Sequence, residues 1–458
     1  MPFAPAWVAA PTPAGHPTPL TASCMDKLVI RGGNALHGRL HVGGSKNTAL
    51  ALMAAAVLAD GTTTLHNVPV LQDVFTFANV LRVTGCRVTY KPDANADTPD
   101  SMVIDAADLH HLEAPYDLVN KMRASFYMLG ALLGRAGEAR VSLPGGCAWG
   151  PRPVDLHLRG MEALGAEISM DQGYVVAKAP AGGLRGARIH FEPSSVGATI
   201  NVMLAAATAK GTTVLENAAA EPDVVVFGQL LQAMGAHVDG LGTPTVTMEG
   251  VDALRPVTFT NCPDRIELGT YMIAAALATP PGERLVITGA EPAHLGDAFL
   301  DAFAATAVPF SLDGDTVEVE GAERIAPVSV ATAPYPGFPT DLQAQWTVLM
   351  TQADGPSRVT DTIYTDRFKH IPELNRMGAE CAVHEHTVEV RGRNGRPLQG
   401  AHVMSTDLRA SVSLVLAGLV AAGETHVLRV YHLDRGYENL EGKLRRAGID
   451  IWREEYQE

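Results

Sequence analysis

Residues 46–66, KNTALALMAAAVLADGTTTLH, decide the fold. The first part is rich in Ala and Leu and almost entirely apolar, which predicts a helix buried on all sides. Gly61 interrupts this run, and the β-branched residues that follow predict a short strand. The stretch therefore predicts one compact unit, in which a polar turn leads into a core helix and then into a strand.

The same unit recurs five more times along the chain. Successive copies lie about 70 residues apart, and in each a second amphipathic segment, often ending like LQAMGA, leads to another strand. This spacing is longer than that of solenoid repeats, and each copy holds two helices and several strands. The fold class is α/β, and two domains of three copies each are the most economical arrangement. The core helix and its strand occupy residues 43–68, 120–143, 194–218, 264–290, 338–362 and 405–430 in the six copies.

Size and charge exclude several classes of protein. With 458 residues the chain is long enough for two or three domains. No apolar run approaches the roughly 20 residues that span a bilayer. The formal charge of −15 argues against a nucleic-acid or anionic-membrane partner, because both need a basic surface. Small anionic ligands remain compatible with this charge if a few arginines converge at one place.

The cysteines indicate neither a disulfide framework nor a zinc site. They are five in number, widely scattered, and none is part of a CxxC pair. This usage is typical of a protein of the reducing cytoplasm. The five are Cys24, Cys86, Cys147, Cys262 and Cys381.

Residues 1–24 are predicted to be a disordered extension. They are rich in Pro and Ala and carry no basic residue before the apolar part, which argues against a secretory signal. Met25 is the alternative start of the protein.

The polar turns that precede the core helices are candidate anion sites. Unpaired backbone N–H groups and the helix macrodipole give a helix N-terminus a partial positive charge. If related domains face each other, several of these turns line one cleft that suits a ligand with phosphate or carboxylate groups. The polar residues at these turns are Lys46, Asn47, Arg123, Ser195, Arg265, Asp341, Asp407 and Arg409.

Cys147 lies in the glycine-rich segment LPGGCAWGPRP, residues 143–153. Glycines and prolines on both sides of it predict a mobile loop. Most single cysteines are small buried apolar residues, but Arg140 and Arg152 are near this one in sequence, and a cation lowers a thiol pKa. These residues support a structural role and a reactive role about equally.

Other candidate residues have an ordinary structural explanation beside the functional one. Lys46 lacks the GxxxxGK[ST] pattern of a nucleoside-triphosphate site, although a lysine at a helix start can face an anion. Asp341 and Asp407 have the sequence context of helix N-caps. Arginines beside Gly, Pro or Asp at turns can hold phosphates bidentately, or they can form surface ion pairs. The turn arginines are Arg123, Arg152, Arg265, Arg367, Arg409 and Arg435.

A series of short motifs follows the chain in order: GGSKN, KMRAS, LPGGC with GPRPVDLH, SVGAT, PDRIELGTY, FPTDLQAQ, TDLRAS and YHLDRGYE. Together they resemble the enolpyruvyl transferases, in particular the branch whose acceptor is a UDP-sugar, and the resemblance covers Met25 to the C-terminus. It implies the inside-out α/β barrel of that family, with two domains of three repeated units each and the active site between them. The first domain would comprise residues 46–262, and the second would comprise residues 25–45 and 263–458.

The resemblance implies a site for phosphoenolpyruvate. Lys46 and Asn47 would bind this substrate, while Arg152 and Arg435 would hold its phosphate and carboxylate. Cys147 would supply a proton to the methylene carbon or assist product release.

The resemblance also implies a site for the UDP-sugar. Asp341 and the backbone of Ile363 would contact the sugar, with Asp341 placed to take the proton of its 3-hydroxyl. Arg123 and the run 152–156 would hold the UDP-sugar, the run mostly at uridine, and the turn 195–197 would lie at the diphosphate. The expected substrate-binding set is Lys46, Asn47, Arg123, Arg152, Pro153, Val154, Asp155, Leu156, Ser195, Val196, Gly197, Asp341, Ile363, Arg367 and Arg435. The expected catalytic set is Cys147, Asp341, Lys46, Asp407 and Arg409, the last two of which would stabilise a tetrahedral intermediate.

The implied activity is transfer of the enolpyruvyl group of phosphoenolpyruvate to the 3-hydroxyl of UDP-N-acetylglucosamine, with release of phosphate, as the first committed step of peptidoglycan synthesis. No cofactor is expected, and no metal, because the histidine groups at 110–111 and 384–386 lack a third ligand at metal-site spacing. A paralogue with another acceptor, such as a uridine nucleotide, is the alternative enzyme. A non-catalytic paralogue that binds a nucleotide-sugar would be expected to lack Cys147, Lys46 or Asp341, and all three are present.

Three features depart from the family pattern. Glu192-Pro193 precedes the serine turn, and Trp149 and Pro151 make the Cys147 loop bulkier than usual. The N-terminal extension has no counterpart. None of these departures removes a matched catalytic position.

Overall fold

The computed structural model describes residues 24–91, 100–120, 122–144 and 154–457. Residues 1–23 and the predicted loop residues Cys147, Arg152 and Pro153 lie outside the described residues. The strands are β1 (Cys24–Arg31), β2 (Gly38–His41), β3 (Thr62–His66), β4 (Arg87–Lys91), β5 (Ser101–Asp105), β6 (Glu113–Ala114), β7 (Glu138–Ser142), β8 (Glu167–Asp171), β9 (Tyr174–Lys178), β10 (Arg188–His190), β11 (Thr212–Glu216), β12 (His237–Asp239), β13 (Thr245–Glu249), β14 (Thr258–Thr260), β15 (Arg284–Thr288), β16 (Phe310–Asp313), β17 (Thr316–Glu320), β18 (Val330–Ala331), β19 (Ser357–Thr360), β20 (Glu380–His384), β21 (Thr387–Arg391), β22 (Leu398–Gln399), β23 (His402–Met404), β24 (Ala421–Ala422), β25 (Glu424–Leu428) and β26 (Asp450–Gln457). The α-helices are α1 (Lys46–Ala55), α2 (Gln72–Val83), α3 (Tyr116–Val119), α4 (Met128–Ala136), α5 (Asp155–Ala163), α6 (Val196–Ala206), α7 (Pro222–Met234), α8 (Arg265–Ala278), α9 (Asp297–Ala305), α10 (Gln343–Thr351), α11 (Ile371–Arg376), α12 (Leu408–Leu419) and α13 (Leu440–Arg446).

The described strands form six four-stranded sheets that share one pattern of strand pairing. In each sheet one edge strand runs parallel to its neighbour and the other two pairs of strands are antiparallel, as in β14-β3-β5-β4. The strands β22 and β24 form a further short pair. The number of four-stranded sheets agrees with the six copies predicted from the sequence. The other five sheets have the orders β6-β7-β9-β8, β10-β11-β13-β12, β16-β17-β15-β2, β18-β19-β21-β20 and β23-β25-β1-β26.

The described residues pack into two separate hydrophobic cores. The first core lies between Ala49 and Leu254 and includes the sheets built on β3, β7 and β11. The second core combines the segment from Leu28 to Val42 with the segment from Ile266 to Ile451 and includes the other three sheets. Buried and more exposed residues alternate along strands such as β3 and β11, so that one face of each sheet packs on its core.

Six helices are buried along nearly their whole length and fill the centres of the cores. They are α1, α4 and α6 in the first core and α8, α10 and α12 in the second. Small residues let them approach closely, and a Cβ on Gly130 of α4 would lie 2.1 Å from the carbonyl oxygen of Asn201 on α6. Within the described ranges no helix is long and apolar enough to cross a membrane. The N-cap side chains that accept hydrogen bonds from the first turns of α1, α6, α8 and α12 are those of Ser45, Ser195, Asp264 and Asp407.

The chain passes between the two cores twice, through neighbouring segments. β2 belongs to the second core and leads to α1 of the first, while β14 belongs to the first core and leads to α8 of the second. At the passages the Ser45 N–H donates to the Cys262 carbonyl oxygen at 2.8 Å, and the Asp264 N–H donates to the Gly43 carbonyl oxygen at 2.8 Å. Asn261 Nδ2 donates to the Ser45 carbonyl oxygen at 2.9 Å. The two passages therefore form one joint, from which both α1 and α8 start.

The predicted boundary of the N-terminal extension needs a correction of one residue. Cys24 was assigned to the extension, but it begins β1, where its backbone pairs with Gln457. The reason is that the backbones of β1 and β26 pair from Cys24 to Arg31, so the strand begins before its apolar residues.

Replacing Gly130 by Ala is expected to lower stability, although Ala is the better helix former by about 1 kcal/mol. The new methyl group would lie 2.1 Å from the Asn201 carbonyl oxygen and 2.5 Å from its Oδ1, so α4 and α6 must move apart. Overpacking of this kind costs roughly 1–3 kcal/mol, and a clash with a fixed helix backbone belongs at the upper end. We expect urea unfolding to show a net loss of about 2 kcal/mol.

Arg135→Ala on the same helix is the matched control. It removes only an ion pair of 3.7 Å with Asp60 and should change the unfolding free energy by less than about 0.5 kcal/mol. A Gly130→Ala protein as stable as the wild type would contradict the close approach of the two helices.

Candidate active site

A cleft between the two cores brings seven of the predicted site residues together. Its cavity volume of about 400 Å³ lies within the range of ordinary ligand pockets. α1, the 3₁₀ turn Arg123–Tyr127 and the start of α6 line it from the first core, and residues 333–341 and 363–364 line it from the second. Arg265, one of the turn arginines, also lines it. The seven are Asn47, Arg123, Ser195, Val196, Gly197, Asp341 and Ile363.

The start of α6 presents backbone N–H groups to this cleft. Ser195 caps the helix by accepting a hydrogen bond from the Ala198 N–H at 3.3 Å. The N–H groups of Val196 and Gly197 come before the first intrahelical hydrogen bond and have no acceptor within the helix. A helix N-terminus at a cleft favours an anionic group such as a phosphate.

Asp341 is held by two arginines. Its Oδ1 lies 2.7 Å from Arg367 Nη1, and its Oδ2 lies 2.7 Å from Arg409 Nη2. Burial by itself raises the pKa of the Asp341 carboxyl group, but the two guanidinium groups outweigh burial and hold this pKa well below its usual range. Asp341 is therefore ionised at neutral pH and is a weak base while both ion pairs are intact. A ligand that draws an arginine away would make it a stronger base.

Lys46, Asp73 and Arg435 form a second charged group. They are not among the residues that line the cleft, but Lys46 is close enough to Asp341 for the two charges to interact. Lys46 Nζ lies 3.4 Å from Asp73 Oδ2, and Arg435 Nε lies 2.9 Å from Asp73 Oδ1. Burial lowers the pKa of Lys46, the Asp73 carboxylate opposes this, and the cations Arg409 and Arg435 lower the pKa further. Three cations from different elements thus gather at one end of the buried helices, which favours anionic ligands. Among the described residues no group of three His, Cys, Asp or Glu side chains that could hold a metal ion lies together.

Asp223 and Arg265 connect the two cores beside the joint. Asp223, in the first turn of α7, accepts a hydrogen bond from Thr48 Oγ1 at 2.7 Å and one from Ser45 Oγ at 3.3 Å. Its other oxygen lies 3.5 Å from Arg265 Nε. Arg265 also lies over the ring of Tyr335, with 5.9 Å between its guanidinium carbon and the ring centroid. These contacts orient an arginine of the second core toward the cleft.

His157 lines the cleft as a neutral hydrogen-bond donor. Burial and the nearby Arg123 lower its pKa to about 3, so the imidazole is uncharged. Asn201 Oδ1 accepts from the Gly130 N–H at 2.8 Å, which makes Asn201 Nδ2 the donor to the Phe126 carbonyl oxygen and to His157 Nδ1. The ring proton is therefore on Nε2, which has no hydrogen-bond partner among the described residues.

Of the predicted uridine-binding run, the described residues 154–156 lead into α5 and do not line the cleft. Val154, Asp155 and Leu156 are absent from the residues that line it, and Asp155 forms an exposed ion pair of 3.5 Å with Arg159. The residue that follows the run, His157, does line the cleft.

Asp407 has the structural role that its sequence context allowed. Its Oδ1 accepts hydrogen bonds from the N–H groups of Arg409 at 2.9 Å and Ala410 at 3.1 Å, which caps α12. The cap fixes the start of the helix from which the Arg409 side chain reaches Asp341. The catalytic role predicted for Asp407 stays a prediction.

The sequence analysis did not identify Asp73, Asp223 or His157. A signal was present for the two aspartates, because LQDVF in the first copy and EPDVVVF in the third place an Asp at the same point, in the first turn of the helix after the strand. Comparison of the copies residue by residue would have found both. His157 follows the predicted uridine-binding run directly, and only the packing of α5 against α6 brings it to the cleft.

Several proteins of known name are similar to this chain over nearly its whole length. Residues 30–444 match the family model described as EPSP synthase (3-phosphoshikimate 1-carboxyvinyltransferase). A relative from Chloroherpeton thalassium, named UDP-N-acetylglucosamine 1-carboxyvinyltransferase, is 52% identical over 435 residues, which are 95% of this chain and 98% of the relative. A relative of the same name from Chlorobium limicola is 50% identical over 95% of this chain and 100% of its own length.

Solved structures share the fold. The enolpyruvyl transferase NikO from Streptomyces tendae superposes with a TM-score of 0.85 at 28% identity, covering 95% of this chain and 100% of that one. EPSP synthase from Acinetobacter baumannii superposes with a TM-score of 0.71 at 17% identity, covering 94% of this chain and 100% of that one, a likeness that concerns the fold alone.

Replacing Asp341 by Asn is expected to destabilise the protein most at neutral pH. The substitution removes the anion that faces the buried Arg367 and Arg409, at a cost of about 2 kcal/mol. Since folding lowers the pKa of Asp341, its carboxylate stabilises the fold above the unfolded-state pKa of about 3.9, and this stabilisation is lost as the pH falls through the folded-state value. The difference in urea unfolding free energy should be largest above about pH 5 and shrink below about pH 4.

Asp155→Asn is the control for this measurement, because its ion pair is exposed. It should change the unfolding free energy by less than about 0.5 kcal/mol at every pH. A difference between wild type and Asp341→Asn that does not vary with pH would contradict the ion-paired state of Asp341.

Proposed function

The chain belongs to the enolpyruvyl transferase family, in the branch of the UDP-N-acetylglucosamine 1-carboxyvinyltransferases, and we propose on this basis that it transfers the enolpyruvyl group of phosphoenolpyruvate to the 3-hydroxyl of UDP-N-acetylglucosamine. Phosphate is the second product. The reaction is the first committed step of peptidoglycan synthesis, and we expect it to take place in the cytoplasm.

The observation that carries this proposal is the cleft between the cores, which is lined by cations from both cores and contains the ionised carboxylate of Asp341. Arg123 comes from the first core, and Arg265 and Arg409 come from the second. Phosphoenolpyruvate carries a phosphate and a carboxylate, and the nucleotide-sugar carries a diphosphate. Local cations can bind both anions in a protein of net charge −15, because charge–charge interactions weaken strongly beyond roughly 8–10 Å in salt.

In the proposed arrangement each substrate has its own group of residues. Phosphoenolpyruvate binds at Lys46, Asn47 and Arg435, together with Arg152 of the loop. The nucleotide binds at Arg123, at the N-terminus of α6 and at the run 152–156. The sugar lies between Asp341 and the backbone of Ile363.

The chemistry is an addition followed by an elimination. A proton adds to the methylene carbon of phosphoenolpyruvate while the sugar 3-oxygen bonds to C2, and the hydroxyl proton passes to Asp341. The tetrahedral intermediate then returns a proton from the former methylene carbon to the group that supplied the first one, as the bond from C2 to the phosphate oxygen breaks, which restores the double bond. The proton held by Asp341 leaves with phosphate. Each step needs a positioned acid or base and charge stabilisation in a closed site.

Substrate binding would adjust the base strength of Asp341. A phosphate or carboxylate beside Arg409 competes with Asp341 for the same guanidinium group. The pKa of Asp341 then rises, so the carboxylate becomes able to accept the hydroxyl proton when the anionic substrate is in place. In this proposal Cys147 donates the proton to the methylene carbon or assists product release, and Asp407 and Arg409 lie at the intermediate.

We also propose that the two cores are two domains, residues 46–262 and residues 25–45 with 263–458. Each would be an inside-out α/β barrel of three repeated units, with the helices inside and the sheets outside. The pair of neighbouring passages at the joint supports this division, because a single joint lets two bodies close over a cleft.

The proposal predicts phosphate release that depends on the acceptor. Purified protein with phosphoenolpyruvate and UDP-N-acetylglucosamine should release phosphate, measured with a coupled colorimetric assay. UMP as the only acceptor should give no release above background. An absence of phosphate with the UDP-sugar would overturn the proposed function, and release with UMP alone would indicate a paralogue that acts on a uridine nucleotide.

A reactive Cys147 is the second expectation. Cys147→Ser should lower turnover by about 100-fold or more, as loss of a general acid does. Thiol alkylation, or an epoxide phosphonate such as fosfomycin, should inactivate the wild type. Cys381→Ser is the control, since Cys381 is buried and burial raises its pKa to about 12, and this variant should stay as sensitive as the wild type. Full resistance of the wild type to both reagents would contradict an accessible reactive Cys147.

A further inference from the structure

We propose that Asp73 is a positioning residue that holds Lys46 and Arg435 together as a preformed site for one anionic group of phosphoenolpyruvate. The inference rests on the proposed function, because it concerns the same cleft and the same substrate. Asp73 itself would not touch the ligand and would act through the two cations.

The geometry places one carboxylate between two cations from different parts of the fold. Asp73 lies in the first turn of α2, where the helix macrodipole also favours a negative charge. Its Oδ1 lies 2.9 Å from Arg435 Nε, and its Oδ2 lies 3.5 Å from Arg435 Nη2 and 3.4 Å from Lys46 Nζ. Lys46 begins α1, whereas Arg435 ends the 3₁₀ helix Val430–Arg435 of the second core.

Asp73 is the least exposed of the three side chains. Its side chain is 6% exposed, compared with 13% for Lys46 and 40% for Arg435. The two cations therefore offer more accessible surface to an entering anion than Asp73 does. This fits a carboxylate that organises the site and does not compete for it.

Electrostatics explain why such a residue is needed. Lys46, Arg409 and Arg435 are close enough for the two arginines to lower the pKa of the lysine, and three like charges repel one another. A carboxylate behind them offsets this repulsion before any substrate is bound. The anion site is then preorganised, and substrate binding does not have to assemble it.

The internal repeat gives independent support. Asp223 occupies the position of Asp73 in the third copy, in the first turn of α7, and it also lies near a cation of the second core, Arg265. The same position thus meets a second-core cation in both copies. In the first copy the ion pair with Asp73 fixes the side chain of Arg435, which reaches from the second core to the first.

Steady-state kinetics of the Asp73→Asn variant test the inference. In one series phosphoenolpyruvate is varied at saturating UDP-N-acetylglucosamine, and in the other UDP-N-acetylglucosamine is varied at saturating phosphoenolpyruvate. The KM for phosphoenolpyruvate should rise by about tenfold or more, because a partner of a charged pair is removed, while the KM for UDP-N-acetylglucosamine should change by less than about twofold.

The pH profile supplies a readout that a general structural defect would not move. The charged groups that face Lys46 are Asp73, Asp341, Arg409 and Arg435. Without the negative charge of Asp73 the pKa of Lys46 falls, so Lys46 loses its ammonium form at a lower pH. The alkaline limb of the pH profile of kcat/KM for phosphoenolpyruvate should therefore shift to lower pH by about 1 pH unit or more in Asp73→Asn.

Two further variants complete the design. Asp73→Glu keeps the charge and should restore the alkaline limb, even where the KM stays raised, and it carries the test if Asp73→Asn does not fold. Asp354→Asn removes a carboxylate that lies 2.6 Å from Arg324. Asp354 follows the C-terminal end of α10, whereas Asp341 precedes its N-terminal end. This control should have wild-type KM values and a wild-type pH profile.

The outcomes separate this inference from the proposed function. An Asp73→Asn enzyme with wild-type KM and pH profile overturns the inference, as does one that binds phosphoenolpyruvate more tightly or one in which both KM values rise equally. If the wild type releases no phosphate, the proposed function fails, and calorimetric titration with phosphoenolpyruvate alone still tests Asp73. Weaker binding to Asp73→Asn than to the wild type supports the inference in that case, and equal binding overturns it.

Discussion

The burial of six helices along most of their length constrains the rest of the molecule. A helix whose sides are largely covered contacts a ligand mainly through its ends, because its backbone groups are otherwise satisfied internally. Where such a helix starts at the surface of the core, unpaired N–H groups and the positive end of the macrodipole are exposed together. The starts of α1, α6 and α8 lie at the cleft or at the joint beside it. The preference for anions thus follows from the way the cores pack.

Charged side chains add selectivity to this background. The chain is acidic overall, yet cations of both cores lie at or beside the cleft, and several of them are held by a carboxylate. Asp341 holds Arg367 and Arg409, and Asp73 holds Arg435 and Lys46. Such pairs keep the cations in place. The same pairs affect which carboxylate can act as a base. A carboxylate that is paired with two arginines, as Asp341 is, accepts a proton readily only when one of the arginines binds another anion.

The repeat and the composition of the helices made much of the fold predictable from the sequence. A buried helix and a β-branched strand have strong local signals, and six copies of them agree in number with the six sheets. The turn residues Asn47, Arg123, Ser195 and Asp341 were predicted as one group because each precedes a core helix, and they line one cleft. Asp73 had a signal only in the comparison of the first and third copies, where Asp223 holds the same position. The contribution of His157 depends on how α5 packs against α6, which has no local sequence signal. For Asp407 the sequence context indicated the helix cap that the structure contains.

The position of the first strand affects the order in which the protein can form. β1 lies between β25 and β26, and β2 pairs with β15, whereas the strands and helices of the first core all lie between residues 46 and 260. As the chain leaves the ribosome, the first core can close while β1 still lacks both neighbours, which are made last. Leu28, Val29 and Ile30 of β1 are fully buried in the finished protein, and until then they form an apolar strand with two open edges. The segment of β1 is thus made before any other described element and among the last to be paired, and it is the part of the nascent chain with the greatest need of protection from aggregation.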